Sequence, residues 1–445
     1  MNVAIPKTKA EQALTEAFAA SASKLPGGTA VKSARNDAIG AFSALGLPHR
    51  RLEEWKYTDL RVNFKDVAPP AIDDATAVSA EDVRAALGSV ANVDVHAVVF
   101  VNGRHRKDLS TPGAMAGLEV QPLAGALTSG SDAVTEGLTT TTGPRSDATI
   151  ALNTAFMTDG AVVRIGNGAT LDKPLMVVFV TAGPRAHLTS VRNVISAGDG
   201  STATLIEAHV ALQGAATGGQ TNTLSEVTTG KGAALTHIKI AAGTNAAVHL
   251  ANWNVSLGAN AEYRGFQYTS GQALARNQIH TVYTGPGGKL DLSGAYLVRG
   301  NEHVDTTLVV DHAVPQCESR ELFKGVLDDR GRGIFQGKII VRPNAQKTDG
   351  KQMAQALMLS PDAEFDSKPE LEIYADDVVC GHGTTSAELD GDLLFYCKSR
   401  GIPENEARAL LIESFVGEAL DKVEHDDLRA ALSQYATVWL NAPRS

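Results

Sequence analysis

Residues from about 95 to 395 alternate apolar and polar positions, the pattern of β-strands that bury one face. Gly200, Gly232, Gly258 and Gly288 each precede such a strand through a short turn, and successive glycines are 32, 26 and 30 residues apart. A repeat of this length without a helical segment is typical of one rung of a stacked β-solenoid, because one rung cannot bury its apolar face alone. We therefore predict a solenoid. The alternative is a pair of β-sandwiches, whose expected turn signals, about every 8–12 residues, are also present in the sequence.

The two ends of the chain carry helical patterns instead. Residues 8–24 and 33–45 are rich in Ala and place apolar residues at helical spacing. Near the other end, Pro403 suits the first turn of a helix, and a second helical segment follows at 426–440. We predict that this C-terminal pair covers the open end of the solenoid or docks a partner. The predicted apolar stripes are Leu410, Leu411, Ser414, Phe415 and Leu420 in the first helix, and Leu428, Ala431, Leu432, Tyr435 and Trp439 in the second.

These patterns divide the chain into three regions. We predict an N-terminal helical subdomain over residues 1–94, a β-helix core over 95–399 and a C-terminal helical subdomain over 400–445. Between the first helices and the strands, the charged stretch RRLEEWKYTDLR carries Trp55 and Tyr57, and we expect it to pack these rings on the body. The predicted fold class is therefore mainly β, with helices at both ends.

Composition and charge narrow the classes of function. Aromatic residues make up only 5% of the 445 residues while glycines number 42, which suits a narrow solenoid core better than a large aromatic one. A net charge of −10 argues against nucleic acid as a partner. No run of about 18 apolar residues could span a membrane, and Lys7 and Lys9 stand where a signal peptide would place its apolar segment. The three cysteines, Cys317, Cys380 and Cys397, are too few and too scattered for a disulfide framework. We therefore expect a cytoplasmic protein.

Common catalytic motifs are missing from the sequence. The Gly288-Lys289 pair lacks both the glycine spacing and the following Ser or Thr of a phosphate-binding P-loop. No Gly-x-Gly-x-x-Gly stands between a strand and a helix, and no Gly-x-Ser-x-Gly elbow is present. We therefore expect a chain that has no ATPase, dinucleotide-binding or hydrolase site of its own.

Two clusters of potential metal ligands remain, and the first comprises His303, Asp305, Asp311, His312 and Cys317. His303 and Asp305 alternate onto one strand face, where they could share a metal ion or pair by a hydrogen bond. Because a hydrogen-bonded pair of this kind is commoner than a metal site, we favour that interpretation.

The second cluster is Cys380 and His382, separated by Gly381 and followed by Gly383. Side chains two residues apart in a strand point the same way and lie about 6.5–7 Å apart. Thiolate and imidazole both ligate zinc and iron. Two ligands cannot close a site, however, and three cysteines cannot supply the four thiolates of a usual iron–sulfur cluster. The pair is therefore either inert or half of a site that another molecule completes.

Several long stretches resemble the SufB/SufD family of iron–sulfur cluster assembly proteins. They include GKIIVRPNAQKTDGKQ, LSPDAEFDSKPELEIYADDVVCGHG, ESFVGEAL and, near the N-terminus, RRLEEWKYTDLR. The resemblance covers about residues 48–420. The total length and the N-terminal stretch favour the SufD branch of the family.

The resemblance implies a right-handed parallel β-helix flanked by helical subdomains, and a non-catalytic scaffold subunit. It also implies two partners: SufB, paired through the β-helix edge from Cys380 to Thr385, and the ATPase SufC, docked on the C-terminal helices near residues 402–420. ATP hydrolysis would then reside in SufC. The exposed strand edge would also permit a homodimer of the isolated chain.

For the site itself, the resemblance implies a nascent cluster at the SufB–SufD interface, held by a cysteine from SufB and a histidine from SufD. His382 matches that histidine, and Cys380 matches the neighbouring family cysteine. No cofactor would be bound permanently, since the Fe–S cluster would be transient. The alternatives are a SufB-like homodimeric cluster scaffold, a β-helix enzyme acting on carbohydrate, and a purely structural solenoid.

Overall fold

Successive strands alternate between two sheets, and each pair of them forms one rung of a parallel β-solenoid. The computed structural model describes residues 6–442, except 73–75, 112, 114, 131–146 and 244–246. Neighbouring rungs pair in parallel in both sheets. This pairing confirms the predicted solenoid and excludes a β-sandwich, whose sheets are antiparallel.

The strands are numbered in chain order. One sheet contains β1 His96–Val101, β2 Arg104–His105, β5 Leu175–Thr181, β7 Thr202–Ala211, β9 Ala234–Ala242, β11 Glu262–Ser270, β13 Lys289–Val298, β15 Glu318–Leu327, β17 Asp349–Met358 and β19 Val379–Ala387. The other contains β3 Leu118–Pro122, β4 Ala161–Ile165, β6 Leu188–Ala197, β8 Gln220–Thr229, β10 Val248–Leu257, β12 Leu274–Tyr283, β14 His303–His312, β16 Arg332–Val341 and β18 Glu364–Ile373. Eight rungs therefore run from β4–β5 to β18–β19.

The periodic glycines mark one corner of the solenoid. Gly200 and Gly232 lie in the turns before β7 and β9, each with φ of +65°, a conformation that strains any residue with a Cβ. Gly258 and Gly288 lie at the same corner before β11 and β13. The glycine spacing in the sequence is therefore the rung repeat.

The interior of the solenoid lies between the two sheets, where alternate residues of every strand meet. Val, Leu, Ile and Ala supply most of this core, with a few large rings such as Trp253, Tyr263 and Phe323. Because side chains alternate across a strand, the remaining positions face outward and need either water or a covering helix.

Helices cover the outer face of the nine-stranded sheet near the N-terminus. Phe18, Phe42 and Phe156 pack there against Leu188 and Leu250 of the strands. The helices predicted over 8–24 and 33–45 are both present, the second beginning earlier, at Thr29. The helices of the described residues are α1 Lys9–Ser21, α2 Thr29–Leu45, α3 Leu60–Asn63, α4 Ala80–Leu87, α5 Leu123–Ser129, α6 Ala148–Phe156, α7 Gly391–Ser399, α8 Glu404–Leu420 and α9 Asp426–Asn441, with short 3₁₀ turns at Ala22–Lys24, Glu53–Trp55, Gly88–Asn92 and Lys107–Leu109.

The C-terminal helices α8 and α9 cover the outer face of the ten-stranded sheet, and not the open end of the solenoid. Ile412 and Leu428 pack on outward residues such as Ile238 and Phe266. The reason is that this outer face is apolar over many rungs, and burying it is worth roughly 25 cal/mol per Å². Helix α8 packs on β13 and β15, so it lies at least two strands away from the open end at β19.

The predicted stripe of α8 is only partly correct, since Leu420 is buried and Phe415 half-buried, whereas that of α9 is largely confirmed. Leu410 is 50% exposed and Ser414 is also exposed. The buried residues of α8 are Ala407, Ile412, Val416, Ala419 and Leu420. In α9 the buried residues are Leu428, Ala431, Leu432, Ala436 and Trp439, with Tyr435 partly buried.

Helix α7 stands within the stretch that the sequence pattern assigned to the β-helix core, residues 95–399. It begins after Asp390, whose side chain accepts hydrogen bonds from the amides of Asp392 and Leu393. The division into three regions stays a prediction. Within the described residues, no helix is long and apolar enough to cross a membrane.

Candidate functional site

The last strands of the two sheets, β18 and β19, each have a neighbour on one side only within the described chain. The amide of Val379 donates to the carbonyl of Thr348 on the β17 side, at 2.9 Å. In a parallel ladder the backbone groups of alternate residues turn to opposite sides, so those of Cys380, His382, Thr384 and further even positions face the open edge. The edge of β19 is thus available for pairing with another strand.

Cys380 and His382 extend from the inward face of β19. Their register partners on β17 are Gly350 and Gln352. Gln352 is buried while the residues on either side of it are exposed, which identifies this face as the interior. Cys380 is half-buried against the core, whereas His382 is exposed because no rung follows. The prediction that the two side chains share a face is confirmed.

The surroundings of Cys380 keep its thiol protonated. Burial raises the pKa of Cys380, and the nearby carboxylates of Asp349 and Glu321 raise it further, while a hydrogen bond from the Gly350 backbone lowers it. Because the thiolate is the form that binds metal, a metal ion at Cys380 has to displace a proton.

The glycines around His382 leave the backbone accessible. A Cβ on Gly381 would have no atom within 4 Å. A Cβ on Gly383 would lie 2.7 Å from the Cε of Met353, the flexible end of a side chain. Packing inside this chain therefore does not require Gly381, whereas close approach by another backbone would favour it.

Polar side chains continue inward below His382. Gln352 pairs in register with Glu321 of β15, and both residues are buried. Burial raises the pKa of Glu321 to about 8. Sequence analysis missed both residues, because only the register between strands shows that they stand in line with His382.

Two side chains at this edge, Cys380 and His382, carry donor atoms of the kinds that bind zinc and iron. Within the part of the chain that the structure describes, no group of three His, Cys, Asp or Glu side chains is gathered closely enough to hold a metal ion. Cys317 is buried in the core, and Cys397 lies on α7 and not on a strand. Cys380 and His382 can therefore contribute ligands, but a closed site needs further donors from elsewhere.

The pair His303 and Asp305 holds the N-terminal segment on the solenoid. The Thr58 hydroxyl lies 2.9 Å from Nε2 of His303 and also donates to Asp305, which forms a buried ion pair with Arg276. The guanidinium of Arg276 stacks over the Trp55 ring at 3.8 Å. The two residues are thus linked through Thr58 and not directly, and the carboxylate is already neutralised, so this cluster is structural.

The other members of the first cluster are also accounted for. Asp311 pairs with Arg342 at 2.7 Å on the surface. His312 stacks on Tyr283 with ring centroids 4.6 Å apart and contacts the Ser319 hydroxyl at 3.1 Å. Burial raises the pKa of Cys317. These side chains do not meet at one point.

Large apolar side chains are exposed in two places near the end of the chain. Tyr374 and Val379 lie on or beside the end strands, and Val379 is 60% exposed. Leu393, Phe395 and Tyr396 project from α7, and Phe395 is 73% exposed. Groups of exposed apolar side chains mark interaction surfaces in soluble proteins.

Comparison with known proteins identifies the family. Residues 179–415 match the family described as SUF system FeS cluster assembly, SufBD core domain, and residues 8–177 match the SufBD protein N-terminal region. The chain is 29% identical over 420 residues to an iron–sulfur cluster assembly SufBD family protein of Synechocystis sp., covering 90% of this chain and 89% of that protein. It is 29% identical over 394 residues to the iron–sulfur cluster assembly protein SufD of Escherichia coli, covering 86% and 87%. A chloroplastic protein of Arabidopsis thaliana, ABCI7, is 32% identical over 212 residues, 47% of this chain and 44% of that one. These matches span both the helical N-terminal region and the solenoid, and the chain therefore belongs to the SufBD family of iron–sulfur cluster assembly proteins.

Proposed function

We propose that this chain is a SufD-type scaffold subunit that pairs with SufB and supplies His382 as a ligand to a nascent iron–sulfur cluster. The observation that carries the proposal is the position of Cys380 and His382 on the inward face of β19, the last strand of its sheet. His382 is the stronger candidate ligand because it is exposed. Cys380 is the weaker one, because its raised pKa keeps the thiol protonated.

The number of ligands argues for a shared site. An iron–sulfur cluster is usually held by four ligands, and this chain brings two to the end of the solenoid. A partner strand added to the open edge of β19 would bring its own side chains next to this face, since the side chains of paired strands lie side by side. The cluster is therefore cargo built between two chains and not a resident cofactor.

ATP hydrolysis by SufC would supply the energy for cluster assembly. Helix α7 exposes Leu393, Phe395 and Tyr396 next to α8, which gives a partner an apolar surface within the C-terminal helices. ATP-driven movement of SufC would then act on these helices and on the adjoining end strands. The chain itself is a non-catalytic subunit in this proposal.

We propose that this protein is cytoplasmic, as expected for a bacterial SufD. The relative from Arabidopsis is described as chloroplastic. A SufB-like homodimeric scaffold is the second candidate, because the open edge of β19 can pair with a copy of itself as well as with SufB.

Co-expression with SufB and SufC tests the proposal. We expect the three chains to co-purify, and His382→Ala to retain the complex while lowering the yield of assembled cluster about tenfold or more, measured by iron and sulfide content and visible absorption. His49→Ala, which removes a histidine of the N-terminal segment, is the matched control. Normal cluster yield in His382→Ala, or no association with either partner, would sink the proposal. Cluster assembly by this chain alone would favour the homodimeric scaffold.

A further inference from the structure

A small cavity of about 50 Å³ lies inside the solenoid, several rungs away from β18 and β19. The imidazoles of His209 on β7 and His249 on β10 line it, together with the side chains of Thr189, Thr221 and Gln272. It has room for a water molecule or for a metal ion with a water ligand. The proposed function uses none of these residues.

Both imidazoles are buried and have uncommitted nitrogens. His209 is 6% exposed and His249 is 3% exposed. Among the residues that the structure describes, neither ring nitrogen of His209 has a hydrogen-bond partner, and Nε2 of His249 has none. Burial disfavours a charged imidazolium, and a neutral imidazole has one nitrogen lone pair that can bind a metal ion. Buried polar atoms without a partner are costly, which points to an occupant of the cavity.

A carboxylate stands behind one of the rings. Oε2 of Glu207 is 3.6 Å from Nε2 of His209, while its Oε1 lies 2.9 Å from Nε2 of His237. At 3.6 Å this contact is too long for a hydrogen bond, so the carboxylate acts on the His209 ring through its charge, which favours a cation bound beside it. A carboxylate is a common outer partner of a metal-binding histidine, and Glu207 needs only a small shift to accept a hydrogen bond from this ring.

The separation of the two rings also suits a shared ion. The ring centroids of His209 and His249 are 5.0 Å apart. Two imidazoles on one tetrahedral ion, with metal–nitrogen distances of about 2.0–2.1 Å, hold their centroids at roughly this separation.

We propose that His209 and His249 bind one transition-metal dication in this cavity, with Glu207 as a positioning residue and water in the remaining coordination positions. Two protein ligands are fewer than a permanent structural site uses, so the ion exchanges with solution. Neutral imidazole selects ions such as Zn²⁺, Co²⁺ and Fe²⁺ over Mg²⁺ or Ca²⁺. The proposal is independent of the cluster role of His382.

Metal titration of the full chain tests the site in a Cys380→Ala/His382→Ala background, which removes the end-strand ligands. With Zn²⁺ followed by calorimetry, and Co²⁺ by visible absorption, we expect one bound equivalent. Adding His249→Phe, which keeps a ring in the space, weakens this binding at least about tenfold, and Glu207→Gln weakens it by about 10–100-fold. His312→Phe, a buried histidine outside the cavity, is the matched control and leaves binding within about twofold.

X-ray absorption of the Co²⁺-loaded protein without the His249 or Glu207 substitution gives a second measurement, in case these variants do not fold. Two imidazole nitrogens at about 2.0–2.1 Å support the site. No bound equivalent, as for a cavity that holds only water, overturns the proposal. So does a bound ion without imidazole ligands, or binding that His249→Phe leaves unchanged.

Discussion

Gln352 on β17 is the register partner of His382 on β19, and both side chains extend from the same inward face. Glu321 is the next residue in this row, on β15. Strands are about 4.8 Å apart, so the Glu321 backbone lies about 10 Å from that of His382. A row of polar side chains therefore leads from the core to the exposed imidazole.

Replacing Glu321 should change how stability depends on pH. Burial raises its pKa to about 8 from an ordinary 4.5, so the folded chain binds this proton more tightly than the unfolded chain does. Proton binding by Glu321 therefore contributes fully to the free energy of unfolding below about pH 4.5, and this contribution is lost as the pH rises towards 8. Glu321→Gln removes this loss, and we expect the variant to gain about 1–3 kcal/mol over the unsubstituted protein between pH 5 and pH 8. Urea unfolding of both proteins at pH 5 and at pH 8 measures this difference in the free energy of unfolding.

Glu318→Gln is the control for that experiment, because Glu318 lies on the same strand but is exposed. It should leave the pH dependence unchanged. Parallel pH profiles for Glu321→Gln and the unsubstituted chain would contradict the assignment.

Removing Asp305 should destabilise the fold far more than removing Asp311 of the same strand. Asp305 and Arg276 form an ion pair that is buried on both sides, so Asp305→Ala leaves an unpaired buried charge and should cost about 3–5 kcal/mol. The ion pair of Asp311 with Arg342 is on the surface, and Asp311→Ala should cost at most about 1 kcal/mol. Urea unfolding of the two variants compares them, and equal costs would show that Asp305 does not anchor the N-terminal segment.

A proline on β19 should block pairing without unfolding the chain. The amide of Ser386 faces the open edge by the alternation that begins with Val379, so Ser386→Pro removes an edge donor and no bond to β17. We expect stability to change by less than about 1 kcal/mol and binding to SufB to weaken about tenfold or more. Size-exclusion chromatography and pull-down measure this, with Ser386→Ala as the control. Unimpaired pairing would mean that SufB does not use this edge.

An exposed phenylalanine on α7 should matter for association and not for folding. Phe395 is 73% exposed, so Phe395→Ser should leave the free energy of unfolding within about 0.5 kcal/mol. If α7 contributes to the SufC surface, the same change weakens SufC binding by about tenfold. Val62→Ser, at another exposed apolar residue on α3, is the control and should bind SufC normally. Equal binding by both variants would remove α7 from the interface.

The periodic pattern of the sequence predicted the repeating part of the structure correctly. The glycine spacing and the strand alternation predicted the rungs, and the apolar stripe of α9 was largely correct. The stripe of α8 was correct at Leu420 but misplaced in the first turns, where the helix packs through Ile412 and not through the apolar run that contains Leu410. Helix α7 was missed because its apolar residues face outward, so no core-facing period marks it.

The solenoid and the shared face of Cys380 and His382 were predictable from the amino-acid sequence, because side-chain direction along a strand follows from local backbone geometry with a period of two. Three features became visible only in the folded chain: β19 ends its sheet, α8 and α9 cover a side of the solenoid, and Gln352 and Glu321 stand in line with His382. Those relationships depend on the register between strands about 30 residues apart, which no local pattern specifies.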